Sequence, residues 1–276
     1  MPSACVPMNE SGTRWTLHDL ESAIDWCSAR NTEGIRCIID VLGEYAREES
    51  QSVTSVRAYL TTAKAIDKHG LSASLTVKLS ALGALFDKEL CCENVQVIAR
   101  AAARRHVGFE VDMEGQNLVT FTMDVARSCV EEGQEVTLAL QAYLDRTPDD
   151  LKRVLDEGVT PRIVKGAYQG TIADFDGIQQ RFKELVELLY ARDVFFTVGT
   201  HDPDLIKWAR KKMEGRRDLI EFGFLKGLAD KTKIAMANDE WLISEYVPFG
   251  QNQAAYVARR RKYLRGLQEL RRIPVP

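Results

Sequence analysis

No apolar run in this chain of 276 residues is long enough to cross a membrane, and Met1–Trp15 lacks the charged-then-apolar pattern of a secretory signal. These absences predict a cytoplasmic protein, in which the glycosylation pattern Asn9-Glu10-Ser11 stays idle. None of the six cysteines (Cys5, Cys27, Cys37, Cys91, Cys92, Cys129) forms a Cys-x-x-Cys pair or stands at a zinc spacing from a histidine. Reduced packing thiols are therefore expected, with no metal. Charge of one sign is also lacking. Thirty-seven Lys and Arg against forty Asp and Glu leave a net charge of -3, which carries no overall footprint for nucleic acid. The motifs HExxH, GxSxG and GxxxxGK are missing, and no GxGxxG follows a strand-like run, which argues against zinc proteases, serine hydrolases, P-loop enzymes and a doubly wound dinucleotide fold. No Ser/Gly/Pro-rich linker divides the chain, so one domain over 1–276 is expected.

What is present is an alternation. Short apolar, β-branched runs occur at 35–42, 74–79, 108–113, 136–141, 162–165, 194–198, 219–222 and 241–245. A first helix, capped by Thr16 and running to about Arg30, precedes them. Helical stretches near 51–69, 88–106, 117–132, 148–157, 174–192, 202–214, 227–237 and 251–270 follow the strands in turn. Eight strand–helix units in a chain of this length predict a closed, parallel (β/α)₈ TIM-like barrel.

In such barrels chemistry sits at the C-terminal ends of the strands, and these ends are charged or polar. In chain order they carry Asp40 and Glu44, Lys78, Asp112 and Glu114, Gln141 and Tyr143, Arg162 and Lys165, Thr200 and His201, Glu221, and Tyr246. Inward charges in a barrel are costly unless paired or used. Two readings stand open for Lys78 and Asp112: a structural ion pair across neighbouring strands, or a functional pair in the barrel mouth. Thr200-His201-Asp202-Pro203 also reads as a helix start, with Asp202 as cap and Pro203 in the first turn.

Tyr246–Gly250, broken by Pro248 and Gly250, leads into a helix bearing the adjacent arginines Arg259 and Arg260. Neighbouring helical residues point about 100° apart, so both guanidinium groups reach one anion only if it lies off the helix flank. A compact carboxylate fits; so does the plainer reading of a solvated basic helix end, continued by Lys262, Arg265, Arg271 and Arg272. A mouth that mixes cations with Tyr, Gln and Thr suits a large anionic organic cofactor and a small carboxylate substrate.

Taken in order, the segments Ile39–Glu44, Thr76–Gly83, Glu110–Glu114, Leu140–Arg146, Arg162–Tyr168, Val198–Pro203, Glu221–Gly227, Tyr246–Gly250 and Tyr256–Arg260 resemble the proline dehydrogenase family of flavoenzymes, over about Thr16 to Leu270. The resemblance implies a barrel that binds FAD without a covalent bond, oxidises L-proline to 1-pyrroline-5-carboxylate and passes electrons to a quinone. By the same resemblance, Arg259 and Arg260 clamp the proline carboxylate, while Lys78, Asp112, Tyr246 and Leu225 complete the substrate pocket. Glu44 matches a gate carboxylate that pairs with the second arginine once substrate is bound. Arg162 matches the residue near flavin N5; Gln141, Val164, Lys165, Gly166, Ala167, Thr200 and His201 match positions around the rest of the cofactor.

The chain departs from the pattern at Gly223, where the family usually has Gln, at Lys226, where Tyr is common, and at Tyr263, where a Glu normally follows the clamp by one turn. These departures keep two alternatives in view: a barrel that senses an anionic small molecule, and an enzyme for a different cyclic amino acid. Quinone reduction further implies a peripheral encounter of the basic tail, Arg259 to Arg272, with an anionic membrane face.

Overall fold

Residues 14–167 and 170–269 are described by a computed structural model. Cys5, Asn9–Ser11, Tyr168, Arg271 and Arg272 lie outside the described residues. The eight strands are β1 Arg36–Val41, β2 Ala73–Val77, β3 Gly108–Val111, β4 Val136–Gln141, β5 Thr160–Val164, β6 Phe196–Gly199, β7 Ile220–Leu225 and β8 Leu242–Phe249. They pair in sequence order and close β8 onto β1, every ladder parallel, as the alternation predicts. A parallel neighbour needs a crossover, and helices supply it. In order they are α1 Leu20–Thr32, α2 Glu49–Lys68, α3 Lys88–Ala103, α4 Val119–Glu131, α5 Thr147–Asp156, α6 Phe175–Arg192, α7 Pro203–Met213, α8 Asp230–Asn238 and α9 Ala254–Glu269. Several begin at an aspartate whose carboxylate accepts first-turn N–H groups: Asp19, Asp87, Asp174 and Asp202.

Strand side chains alternate between two faces, and this barrel divides its chemistry between them. Ile39, Leu75, Val77, Val111, Leu138, Ile163, Val198, Phe222, Ile243 and Val247 are buried in the apolar core under the helices. Residues of the opposite parity, among them Lys78, Asp112, Gln141, Arg162 and Tyr246, line a cavity inside the barrel mouth. The polar set is thus placed by strand geometry, and the apolar set secures the strands that carry it.

Three expectations need correction. Thr16 does not cap the first helix: its hydroxyl donates to Gln253, Leu17 bridges to Phe249, and Asp19 is the cap. The eighth strand continues through Pro248 to Phe249. Proline is tolerated there because β7 has ended at Leu225, opposite Tyr246, and only the Pro248 carbonyl is used, accepting from the Leu17 N–H. The seventh strand runs to Leu225, so Glu221 stands near its start and not at the mouth. There it is bonded to Arg36 at the opposite end of the barrel.

Candidate active site

The first residues beyond β2 and β3 are Lys78 and Asp112, and the register of the two strands brings their side chains together. The Lys78 ammonium donates to Asp40 at 2.6 Å and to the Tyr246 hydroxyl at 2.9 Å, and it lies 3.0 Å from Asp112. The Tyr246 hydroxyl donates to Asp112 at 2.5 Å. Arg162, from β5, donates to the other Asp112 oxygen at 2.7 Å and to Glu110. Lys78 and Arg162 are both buried, so each charge is held by its partners and not by water.

The titration of these groups follows from their packing. Burial opposes the charge on Lys78, yet Asp40, then Tyr246 and Asp112, outweigh it and hold the ammonium well above its ordinary range. Burial also opposes ionisation of Asp112, but Lys78 and Arg162 keep it below the usual carboxylate value. For Asp40 burial prevails and the carboxyl is pushed up, with Asp112 acting in the same direction. Tyr246 is buried beside both carboxylates and remains a neutral phenol, a donor toward Asp112.

The wall opposite is built by β4 to β6. Gln141 donates from Nε2 to the carbonyls of Met113 at 3.1 Å and Glu114 at 3.2 Å, which leaves its buried Oε1 without a partner. Gly166 adopts φ +125°, and the Tyr143 ring packs so closely against it that any Cβ would collide. His201 accepts the Leu225 N–H at 2.9 Å through Nε2; burial, then Arg260, Lys233 and Lys165, hold its imidazole neutral, well below its ordinary value. Asp202 caps α7 and also takes Lys165 at 2.8 Å, as the helix-start reading of this segment predicts.

Helix α9 closes the mouth from above. Arg259 makes a forked ion pair with Glu44, one arm at 2.9 Å, while Arg260 is buried between the rings of Tyr256 and Tyr263. The plainer reading of a solvated basic helix end therefore fails for this pair, although Arg261, Lys262 and Arg265 are exposed. Glu44 is held by Arg259, the first arginine; the resemblance implies a pair with the second once substrate is bound.

The residues that the resemblance assigns to substrate and cofactor line this one cavity, about 480 Å³, except Glu44, which reaches it through Arg259; Asp40, Glu114 and Glu221, also singled out as strand-end charges, are not in its lining. Of the three departures, Gly223 and Tyr263 also line it. Lys226 does not: its ammonium lies over the Trp26 ring and donates to the Arg14 carbonyl at 2.9 Å. Sequence reasoning missed Ile38, Met113, Phe175, Ile178 and Phe224 in the lining, whose apolar types carry no chemical signal. It named Asp40 only as a charged strand end and not as a partner of Lys78, and it left out Glu110, which two-residue periodicity with Asp112 would have found.

A (β/α)₈ barrel that gathers buried cations, carboxylates and a tyrosine in a large cavity at the C-terminal ends of its strands has the build of an enzyme for an organic cofactor and a small anionic substrate. The model of one such family, proline dehydrogenase, matches residues 23–262. The chain belongs to the proline dehydrogenase family of oxidoreductases. It is 29% identical over 248 residues to proline dehydrogenase 1 of Bacillus subtilis subsp. natto, covering 87% of this chain and 82% of that one. Identity to the proline dehydrogenase of Deinococcus radiodurans is 28% over 254 residues, again covering 87% and 82%. Among solved structures, proline utilization A of Bdellovibrio bacteriovorus, described as inactivated by N-propargylglycine, superimposes with a TM-score of 0.81 at 16% identity. The match covers 90% of this chain but spans only 32% of that protein, and at this identity it shows the fold alone. No helix among the described residues is long and apolar enough to cross a membrane.

Proposed function

We propose that the chain oxidises L-proline to 1-pyrroline-5-carboxylate with non-covalently bound FAD, whose electrons pass to a quinone. The observation that carries this reading is the pairing of a buried Arg260 above the cavity, without a carboxylate partner among the described residues, with the Lys78–Asp112–Tyr246 cluster below it. The planar guanidinium matches a carboxylate, while Leu225 and the Tyr246 ring offer the apolar contact that a five-membered ring needs. Lys78, Asp112 and Tyr246 hold one another in place, so the pocket floor is set before substrate enters.

The residues present fit FAD. The unpartnered Gln141 oxygen is an acceptor awaiting a donor, Gly166 gives the Tyr143 ring the space to pack into this wall, and Lys165, paired with Asp202, places a cation in the lining that suits a phosphate. Val164, Ala167, Thr200 and His201 complete that wall, and Arg162 supplies a fixed positive charge beside Asp112. FAD, when bound, supplies the hydride acceptor; the chain supplies binding, orientation and electrostatics. The neutral His201 adds no charge to this wall and instead holds the Leu225 backbone.

The test is optical. Protein purified with FAD is expected to be yellow and to bleach anaerobically with L-proline, and a quinone analogue is expected to restore the colour. Protein that stays colourless with added FAD, or yellow protein that proline leaves unbleached, overturns the reading. Peripheral membrane contact through exposed Arg261, Lys262 and Arg265 belongs to the same proposal. It predicts that cosedimentation with vesicles rises with their anionic lipid content, and unchanged cosedimentation rejects it.

A further inference from the structure

The two arginines of α9 are not equivalent. Arg259 has its counter-charge in Glu44. Arg260 is 9% exposed, makes no ion pair with a carboxylate among the described residues, and keeps a buried Nε with no hydrogen-bond partner. Its contacts are aromatic. The guanidinium carbon is 5.3 Å from the centre of the Tyr256 ring and 5.8 Å from that of Tyr263, and one terminal nitrogen donates to the Tyr256 hydroxyl at 3.2 Å.

Helical spacing explains the arrangement. Tyr256 precedes Arg260 by four positions and Tyr263 follows it by three, so all three share one face of α9. That face is seated on the barrel by Tyr263, whose ring meets His201 edge-on at 6.4 Å. A ring face attracts a cation through its quadrupole without occupying the N–H groups at the guanidinium edge. A carboxylate at position 263 would instead compete for those N–H groups.

We propose that Tyr263 is a positioning residue for substrate: with Tyr256 it sandwiches Arg260 and presents an uncompensated guanidinium edge, already oriented, to the substrate carboxylate. This rests on reading α9 as the carboxylate clamp. Selectivity then follows from the missing counter-charge. A ring carboxylate satisfies the buried guanidinium, whereas the corresponding amide leaves it unneutralised, so the chain discriminates by charge and not by ring shape alone.

The test compares Tyr263→Leu with Tyr263→Phe in FAD-loaded protein. Losing the ring face removes a contact of the cation–π type, so Tyr263→Leu is expected to raise KM for L-proline by about three- to tenfold with kcat little changed. Tyr263→Phe keeps the face and is expected to hold KM within about twofold of the parent. A second readout does not need turnover: the rise in melting temperature given by tetrahydrofuran-2-carboxylate, relative to that given by its amide, should shrink in Tyr263→Leu and persist in Tyr263→Phe. An unchanged KM and an unchanged carboxylate preference in Tyr263→Leu overturn the proposal, as does a Phe variant as impaired as the Leu variant. If the parent protein itself is neither bleached by proline nor stabilised by the carboxylate, the failure lies with the proposed function.

Discussion

The Lys78 ammonium stands 3.0 Å from Asp112 and 2.6 Å from Asp40, so a single buried cation separates two carboxylates. The expectation that Lys78 and Asp112 meet across adjacent strands agrees with this geometry; the second carboxylate makes the arrangement a triad.

Removing the cation should therefore cost more than one ion pair. Lys78→Ala leaves the fully buried Asp40 without its cation and facing Asp112, and a loss of about 3–5 kcal/mol is expected from breaking a buried pair on one side only. Adding Asp40→Asn removes the stranded charge, since Asp112 keeps Arg162, and should recover part of that loss, while activity stays absent. Denaturant unfolding of the single and double variants measures it. A double variant less stable than Lys78→Ala would show that Asp40 is not the stranded charge.

A second expectation concerns acid. His201 is held neutral well below its ordinary value of 6.5 by burial and then by Arg260, Lys233 and Lys165. Above that pH the imidazole is neutral in both the folded and unfolded chain and contributes no pH dependence. Below it the unfolded chain takes up a proton and the folded chain does not, so stability falls as pH falls, by at most about 1.4 kcal/mol per pH unit. His201→Gln keeps an acceptor for the Leu225 N–H and removes the titration. Between pH 7 and pH 5 the parent should lose more stability than the variant, and equal slopes would reject the assignment.

The barrel was legible because its two periods are written in separate residue types. Apolar strand runs alternate with longer helical stretches, and charges mark where the strands open into the mouth. What sequence reading blurred was the inward parity within each strand. Glu221 looked like a mouth residue because the end of its strand was placed three residues early, at Phe222; Arg36 and Glu110, its neighbours in the barrel interior, drew no attention. The roles within α9 were also hidden, since adjacent arginines look alike in a sequence. Only packing shows that Glu44 takes Arg259 and that two tyrosines take Arg260.

Arg162 permits a test of the cofactor side. It holds Asp112 and Glu110, but Asp112 keeps Lys78 and Glu110 keeps Arg36, so Arg162→Met should remain folded. Loss of a fixed positive charge from the cavity wall is expected to slow flavin reduction by about tenfold or more. Stopped-flow reduction by saturating proline is the measurement, and a rate equal to the parent's would remove Arg162 from beside the reacting atoms.

The clamp itself gives the last prediction. Two adjacent guanidinium groups repel unless neutralised, and this helix treats them differently: Arg259 is bound by Glu44 in a fork, Arg260 by two tyrosine rings and one hydrogen bond to the Tyr256 hydroxyl. A carboxylate entering the cavity meets Arg260 without a carboxylate partner among the described residues, whereas it meets Arg259 already engaged by Glu44. Charge-assisted hydrogen bonds contribute roughly 1.5–3 kcal/mol each, so Arg260→Met should raise KM for L-proline by at least about tenfold. Retention of FAD should change little, because Arg260 sits on α9 and the wall proposed to hold the cofactor belongs to β4 through β6. Arg259→Met should act differently, since it strands Glu44, only 8% exposed at its side chain, and unties α9 from the loop after β1. A lower melting temperature should therefore accompany its rise in KM. Steady-state kinetics and thermal melts of the two variants separate the roles. Equal KM increases with equal melting temperatures would mean that the arginines act as one symmetric clamp and that the Glu44 pair has no part in closing it.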